Sequence, residues 1–197
     1  MRLRLKNVST IYFNEAYWKV LQWFFSYPSN EIGLNDLSAA LSVAKTTAKR
    51  VVLQLEKETF LRKEVLGKIW RISCNQNHNY NSSKKIAYNL MMIYNSTIIE
   101  NVHELVQSEF GQTPRAIILF GSYRKGDDNE KSDIDIAVEV LDTKNLKIYK
   151  LGEFQKFGYR KNVTVNVHTF SRTKIDINLF ANIVNGIVLE GFLEVRP

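Results

Sequence analysis

At 197 residues with one cysteine and a net charge of +7, the chain can hold one large or two small packed domains. The lone Cys74 excludes an internal disulfide and a multi-cysteine metal cluster. The charge is uneven, with twelve Lys or Arg against six Asp or Glu in residues 1–80 and fifteen against fourteen in residues 81–197, which points to a polyanionic partner for the first part.

Charged residues alternate with leucine over residues 1–6, a pattern without the apolar core of a secretion signal. No apolar stretch has the length of a membrane span, and the expected location is the cytoplasm. Over residues 15–27, Ala16, Trp18, Val20, Leu21, Phe24 and Phe25 recur at helical spacing until Pro28-Ser29-Asn30, which predicts a first helix. Asn35 or Asp36 can cap a short second helix through Leu41, and after a break at Ser42-Val43 a third helix is predicted over residues 44–58. The runs 61–65 and 68–73 around Leu66-Gly67 read as a hairpin.

Three helices and a hairpin in this order resemble a winged helix-turn-helix domain. The resemblance implies a third helix in the major groove of DNA and a hairpin, or wing, on the backbone phosphates. Residues 1–75 are therefore expected to bind DNA, through Lys45, Thr46, Thr47, Lys49 and Arg50 on the third helix and Arg62, Lys63 and Lys68 on the wing, with Arg71 beside them. A protein-docking module with a solvated basic face would give the same pattern.

Residues 75–83 are polar and rich in turn formers, and residues 76–112 are read as a linker followed by a long connecting helix. That helix is predicted over residues 84–109, with Ile86, Leu90, Ile93, Val102 and Leu105 as its apolar stripe. His78 and His103 have no second ligand at metal-like spacing and read as ordinary residues.

The most informative segment follows. Residues 116–120 form an apolar run that stops at Gly121-Ser122, and ten residues after that serine Asp133 and Asp135 open a second apolar run. On a strand, residues two apart face the same side about 7 Å from each other, so the two carboxylates can share a divalent ion or bracket two. Gly121 keeps the backbone clear for a phosphate, and Ser122 offers a hydroxyl and an amide where a helix is expected to begin. Beyond them, residues 143–160 read as a helix, 163–170 as a third strand and 173–184 as another helix, with a closing apolar run at 187–193.

The Gly-Ser pair, the ten-residue interval and the Asp-x-Asp resemble the minimal nucleotidyltransferases of the DNA polymerase β superfamily. That resemblance implies that Gly121 and Ser122 contact a triphosphate and that Asp133 and Asp135 hold magnesium or manganese; Arg124 and Lys125 follow the turn, where one of them can reach a phosphate or both can stand as solvated surface charges. It also implies a third carboxylate on a neighbouring strand, and there this chain carries Asn166, a neutral amide and no general base. Glu139 lies too far along the strand to replace it, and His168 shares the parity of Asn166 and can accept a proton.

The expected fold class is thus α+β: an N-terminal winged helix-turn-helix joined to a nucleotidyltransferase fold over residues 113–197, with a short mixed β-sheet flanked by helices. The expected activity is transfer of a nucleoside monophosphate, AMP by preference, from an NTP such as ATP to a hydroxyl. By resemblance the acceptor can be a toxin protein, with the chain as an antitoxin that represses its own operon. The competing reading is a regulator whose transferase-like half senses a nucleotide or forms an interface without chemistry. A homodimer is compatible with the sequence and not demanded by it.

Overall fold

The structure, a computed structural model, describes residues 14–141, 146–171 and 175–194. Helix α1 (Glu15–Ser26) begins where the Asn14 side chain accepts the Tyr17 amide at 3.1 Å, the bond that makes asparagine a good N-cap. Strand β1 (Ile32–Gly33) leads into α2 (Leu34–Ala40), whose N-cap is Gly33 with no side-chain bond, two or three residues before the expected Asn35 or Asp36. Helix α3 (Lys45–Lys57) follows, and Leu37, Val51, Val52 and Leu55 meet Leu21, Phe24 and Phe25 of α1 in one core. Strands β2 (Leu61–Leu66) and β3 (Ile69–Cys74) form the expected hairpin, closed at Leu66 and Ile69, and β1 pairs with β3 to give the order β1-β3-β2.

Residues 75–83 are turns bound down onto this core. His78 Nε2 lies 3.0 Å from the Glu58 carbonyl, and the Glu58 carboxylate accepts the hydroxyls of Tyr17 at 2.6 Å and Tyr80 at 3.0 Å. The His78 and Tyr80 rings both pack against Phe60.

The single helix expected over residues 84–109 is two helices, α4 (Lys84–Tyr94) and α5 (Ile98–Phe110). The break falls at Asn95-Ser96-Thr97. There the Ser96 hydroxyl donates to the Ile93 carbonyl at 2.7 Å and accepts the Ile98 amide at 3.3 Å, so a short polar side chain takes over bonds that would continue the helix. The buried stripe also differs from the expected one: Lys85, Tyr88, Asn89 and Ile93 on α4, then Ile98, Val102 and Val106 on α5.

The remaining elements are β4 (Ala116–Phe120), α6 (Gly121–Lys125), β5 (Ile134–Glu139), β6 (Lys147–Phe157), β7 (Arg160–Phe170), α7 (Ile177–Val184) and β8 (Ile187–Gly191). They build a five-stranded sheet in the order β6-β7-β5-β4-β8, with β5 and β7 parallel and the other pairs antiparallel. The helix expected over residues 143–160 is thereby corrected to the edge strand β6; its first residues up to 145 lie outside the described residues, as do 173 and 174 of the last expected helix. A bulge between Lys150 and Gly152 breaks strict alternation, so the inward residues Tyr149, Leu151 and Phe154 stand at intervals of two and three and the period-2 signature of a strand is lost from the sequence.

Alternation along each strand sorts the two faces. Ile117, Leu119, Ile134, Ile136, Val138, Val165 and Val167 pack on α4 and α5, while Ala116, Ile118, Phe120, Ala137 and Phe170 take Ile183 of α7. No helix among the described residues is long and apolar enough to cross a membrane.

Cys74 ends β3 within the N-terminal core, and burial pushes its thiol up to about 12. The native protein should therefore resist a disulfide reagent at pH 8 and react once unfolded. Because the unfolded thiol ionises first, this group's contribution to stability should fall as pH rises from the ordinary thiol range towards 12, a slope readable in denaturant titrations. A native thiol that titrates at once would contradict the burial.

Candidate functional site

Strand β4 runs directly into α6, whose first amides have no partner within the helix and whose N-cap, Phe120, supplies no side-chain bond. Phe120 pairs with Asp135 across the antiparallel β4–β5 ladder, which lays Gly121 over the Asp135 carboxylate. A Cβ on Gly121 would stand 2.9 Å from Asp135 Oδ2 and press on that carboxylate, and the φ of +71° is a backbone conformation that favours glycine.

On the other side of β5 the parallel β7 ladder sets Asn166 opposite Asp135 and His168 opposite Ala137. The Asn166 amide donates to Asp133 Oδ2 at 3.3 Å, and His168 Nε2 lies 3.3 Å from Asp135 Oδ1 with its ring edge-on to Phe120. Asp133 is exposed and Asp135 half-buried, so this end of the sheet is open to solvent. Ser122, Asp133, Asp135, Asn166 and His168 thus surround one end of three adjacent strands, with Arg124 half-buried and Lys125 exposed in the last turn of α6.

Among the described residues no group of three His, Cys, Asp or Glu side chains is arranged to hold a metal. Two carboxylates on one face nevertheless suit magnesium, which is commonly held by one or two carboxylates and completed by water and substrate phosphates. Asn166 is bonded into the pair as a neutral donor where a third acid would add charge. Glu139 is buried at the far end of β5 and takes no part in this group.

The sequence reading missed a buried polar cluster beneath the site. Lys85 of α4 pairs with Asp128 at 3.3 Å and also donates to the Asp128 carbonyl. Asn89 donates to Asp128 Oδ1 at 2.9 Å and to the Tyr123 carbonyl at 3.1 Å. Arg160 donates to the Tyr123 hydroxyl and to the carbonyls of Glu130 and Ser132. Burial pushes the Lys85 ammonium down and the Asp128 carboxyl up. One signal was available in the sequence: Lys85, Tyr88, Asn89 and Ile93 share a helix face, so Lys85 and Asn89 belong to the buried stripe.

In the N-terminal half, Lys45, Thr46, Lys49 and Arg50 are exposed on the first half of α3, with Thr47 half-buried. Lys45, Lys49 and Lys68 line a groove of about 380 Å3 between α2, α3 and β3, together with Asp36 and Trp70. Lys63 is drawn inward, to Glu56 at 2.9 Å and over the Trp70 ring at 4.7 Å. Arg62 leans on Asn75 at 3.4 Å, and Arg71 pairs with Glu31 and Glu64. His103 meets Glu190 at 2.8 Å.

Residues 99–185 match the family model of the nucleotidyltransferase domain, whose general chemistry is transfer of a nucleoside monophosphate. The matched span runs from α5 through α7 and contains Gly121, Ser122, Asp133, Asp135, Asn166 and His168, while Lys85 and Asn89 of the buried cluster lie before it. A search of curated proteins gave no match.

Replacing Gly121 with alanine should strain the left-handed backbone and push on the Asp135 carboxylate, lowering stability by about 1 to 3 kcal/mol. Lys125→Ala, at an exposed position, should stay within about 0.5 kcal/mol of the parent. Denaturant midpoints of the two variants distinguish these outcomes.

Proposed function

We propose that residues 113–197 form a minimal nucleotidyltransferase that moves a nucleoside monophosphate, AMP by preference, from an NTP to a hydroxyl acceptor with release of pyrophosphate. The observation that carries this reading is the packing of Gly121 on Asp135, which joins the phosphate-type turn and the carboxylate pair into one surface. Ser122 and the amides at the start of α6 are suited to the triphosphate, with Arg124 or Lys125 as a further cation. Asp133 and Asp135 would hold magnesium or manganese, which when bound supplies positive charge against the phosphates. Asn166 orients Asp133 by its hydrogen bond and cannot accept a proton, which leaves the His168 imidazole beside Asp135 as the side chain able to do so.

In the same reading residues 1–75 act as a winged helix-turn-helix that binds DNA. Its support is the order of α1, α2, α3 and the β2–β3 hairpin, and the exposed Lys45, Thr46, Lys49 and Arg50 beside the lysine-lined groove. A nucleotidyltransferase joined to a DNA-binding half fits an antitoxin that modifies a partner toxin and represses its own operon. Asn166 favours a second reading, a DNA-binding regulator whose transferase-like half binds a nucleotide without transferring it.

Incubation with labelled ATP, Mg2+ or Mn2+ and candidate acceptors, including a toxin encoded beside the gene, separates the two. Label transfer that disappears in Asp133→Ala plus Asp135→Ala is expected for the enzyme. Metal-dependent ATP binding without transfer to any acceptor gives the sensor. For the DNA half, Lys49→Ala plus Arg50→Ala should weaken binding to DNA upstream of the gene and reduce the salt slope by about 1 for each phosphate contact removed. Unchanged affinity at moderate salt would exclude α3 as the DNA-contacting helix.

A further inference from the structure

We propose that Lys85, Asn89 and Arg160 are positioning residues for the candidate nucleotide site, holding the loop between the Gly121-Ser122 turn and the Asp133–Asp135 pair so that nucleotide binding depends on them. The proposal rests on the nucleotide-site reading above and names residues outside its motif.

The loop over residues 126–133 carries the chain from the end of α6 to the first aspartate, and it has no strand partner of its own. Side chains from two other elements hold its backbone. Lys85 grips both the carbonyl and the carboxylate of Asp128, while Asn89 bridges Asp128 to the Tyr123 carbonyl of α6. Arg160 takes the carbonyls of Glu130 and Ser132, the latter immediately before Asp133. At the loop's start Gly126, with a φ of +77°, sits so close to the Asn81 carbonyl and Ile86 that any side chain there would collide. Four carbonyl groups, from Tyr123 to Ser132, are thus satisfied by directed bonds from α4 and β7.

The cluster is fully internal: Lys85 is 1 % exposed, Asn89 2 %, Asp128 3 % and Arg160 4 %. Apolar side chains of the same volume would fill this space at a similar or lower free-energy cost. Such side chains could not fix where the loop carbonyls point, and therefore where Asp133 emerges beside Asn166.

The full-length protein, Lys85→Met plus Asp128→Leu, and Asn89→Leu would be compared by thermal unfolding, by amide hydrogen exchange over residues 126–133, and by calorimetric titration with ATP in the presence of Mn2+. We expect the double variant to melt near the parent temperature, to exchange its loop amides severalfold faster and to bind ATP about tenfold or more weakly. Asn89→Leu, which keeps the ion pair, should show the same two losses to a smaller degree and serves if the double variant does not fold. Parent-like exchange and parent-like ATP affinity in a folded variant would overturn the proposal and leave the cluster a filling role alone. If the parent itself binds no ATP, the nucleotide reading fails, and loop exchange decides: faster exchange supports the positioning role and unchanged exchange refutes it.

Discussion

Strand β5 lies between an antiparallel neighbour, β4, and a parallel one, β7, and the polar groups of the candidate site take their places from those two ladders. The first ladder stacks Gly121 on Asp135; the second brings Asn166 to Asp133 and His168 to Asp135. The register is held from the opposite face, where Ile134, Ile136 and Val138 are buried against α4 and α5. A slip of one residue would turn the two carboxylates into that core and expose three large apolar side chains. The apolar residues of β5 and the acidic pair at its start, Asp133 just before the strand and Asp135 within it, therefore enforce one another.

The same sheet needs help in the long connection between β4 and β5. Between α6 and β5 the backbone has no ladder, and its carbonyls are held by Lys85, Asn89 and Arg160. Lys84 and Lys85, neighbours at the start of α4, face opposite ways. The Lys84 ammonium lies 3.5 Å from the Tyr80 ring centroid and 3.2 Å from the Tyr17 hydroxyl, within the group around Glu58 at the end of α3, while Lys85 enters the loop beside the site. The Tyr27 hydroxyl also donates to the Tyr159 carbonyl next to Arg160. The basic N-terminal half and the nucleotidyltransferase-like half are in this way joined by directed polar contacts through a segment that composition alone reads as a spacer.

The elements legible in the sequence were those specified by local signals. The apolar spacing from Ala16 to Phe25, the stop at Pro28, the turn at Gly67 and the short apolar run before Gly121 each place an element within a residue or two. The misread elements have a common origin. In β6 a bulge broke the alternation that marks a strand in sequence, and the pairing with β7 that selects a strand lies in another part of the chain. At Asn95-Ser96-Thr97 helical spacing continued through a break that depends on which way a serine hydroxyl turns.

By itself the sequence determined the chemistry of the site: a glycine-serine turn, two carboxylates on one strand face and an amide where a third acid would stand. Spacing along a single strand fixes faces, so Asp133 and Asp135 could be placed together without a fold. Only the tertiary structure decided that Gly121 lies against Asp135, that Asn166 donates to Asp133, and that a lysine and an aspartate 43 residues apart meet in the interior. Those facts follow from long-range pairing and from burial, which make a charged side chain on an apolar stripe tolerable only when its partner arrives from elsewhere.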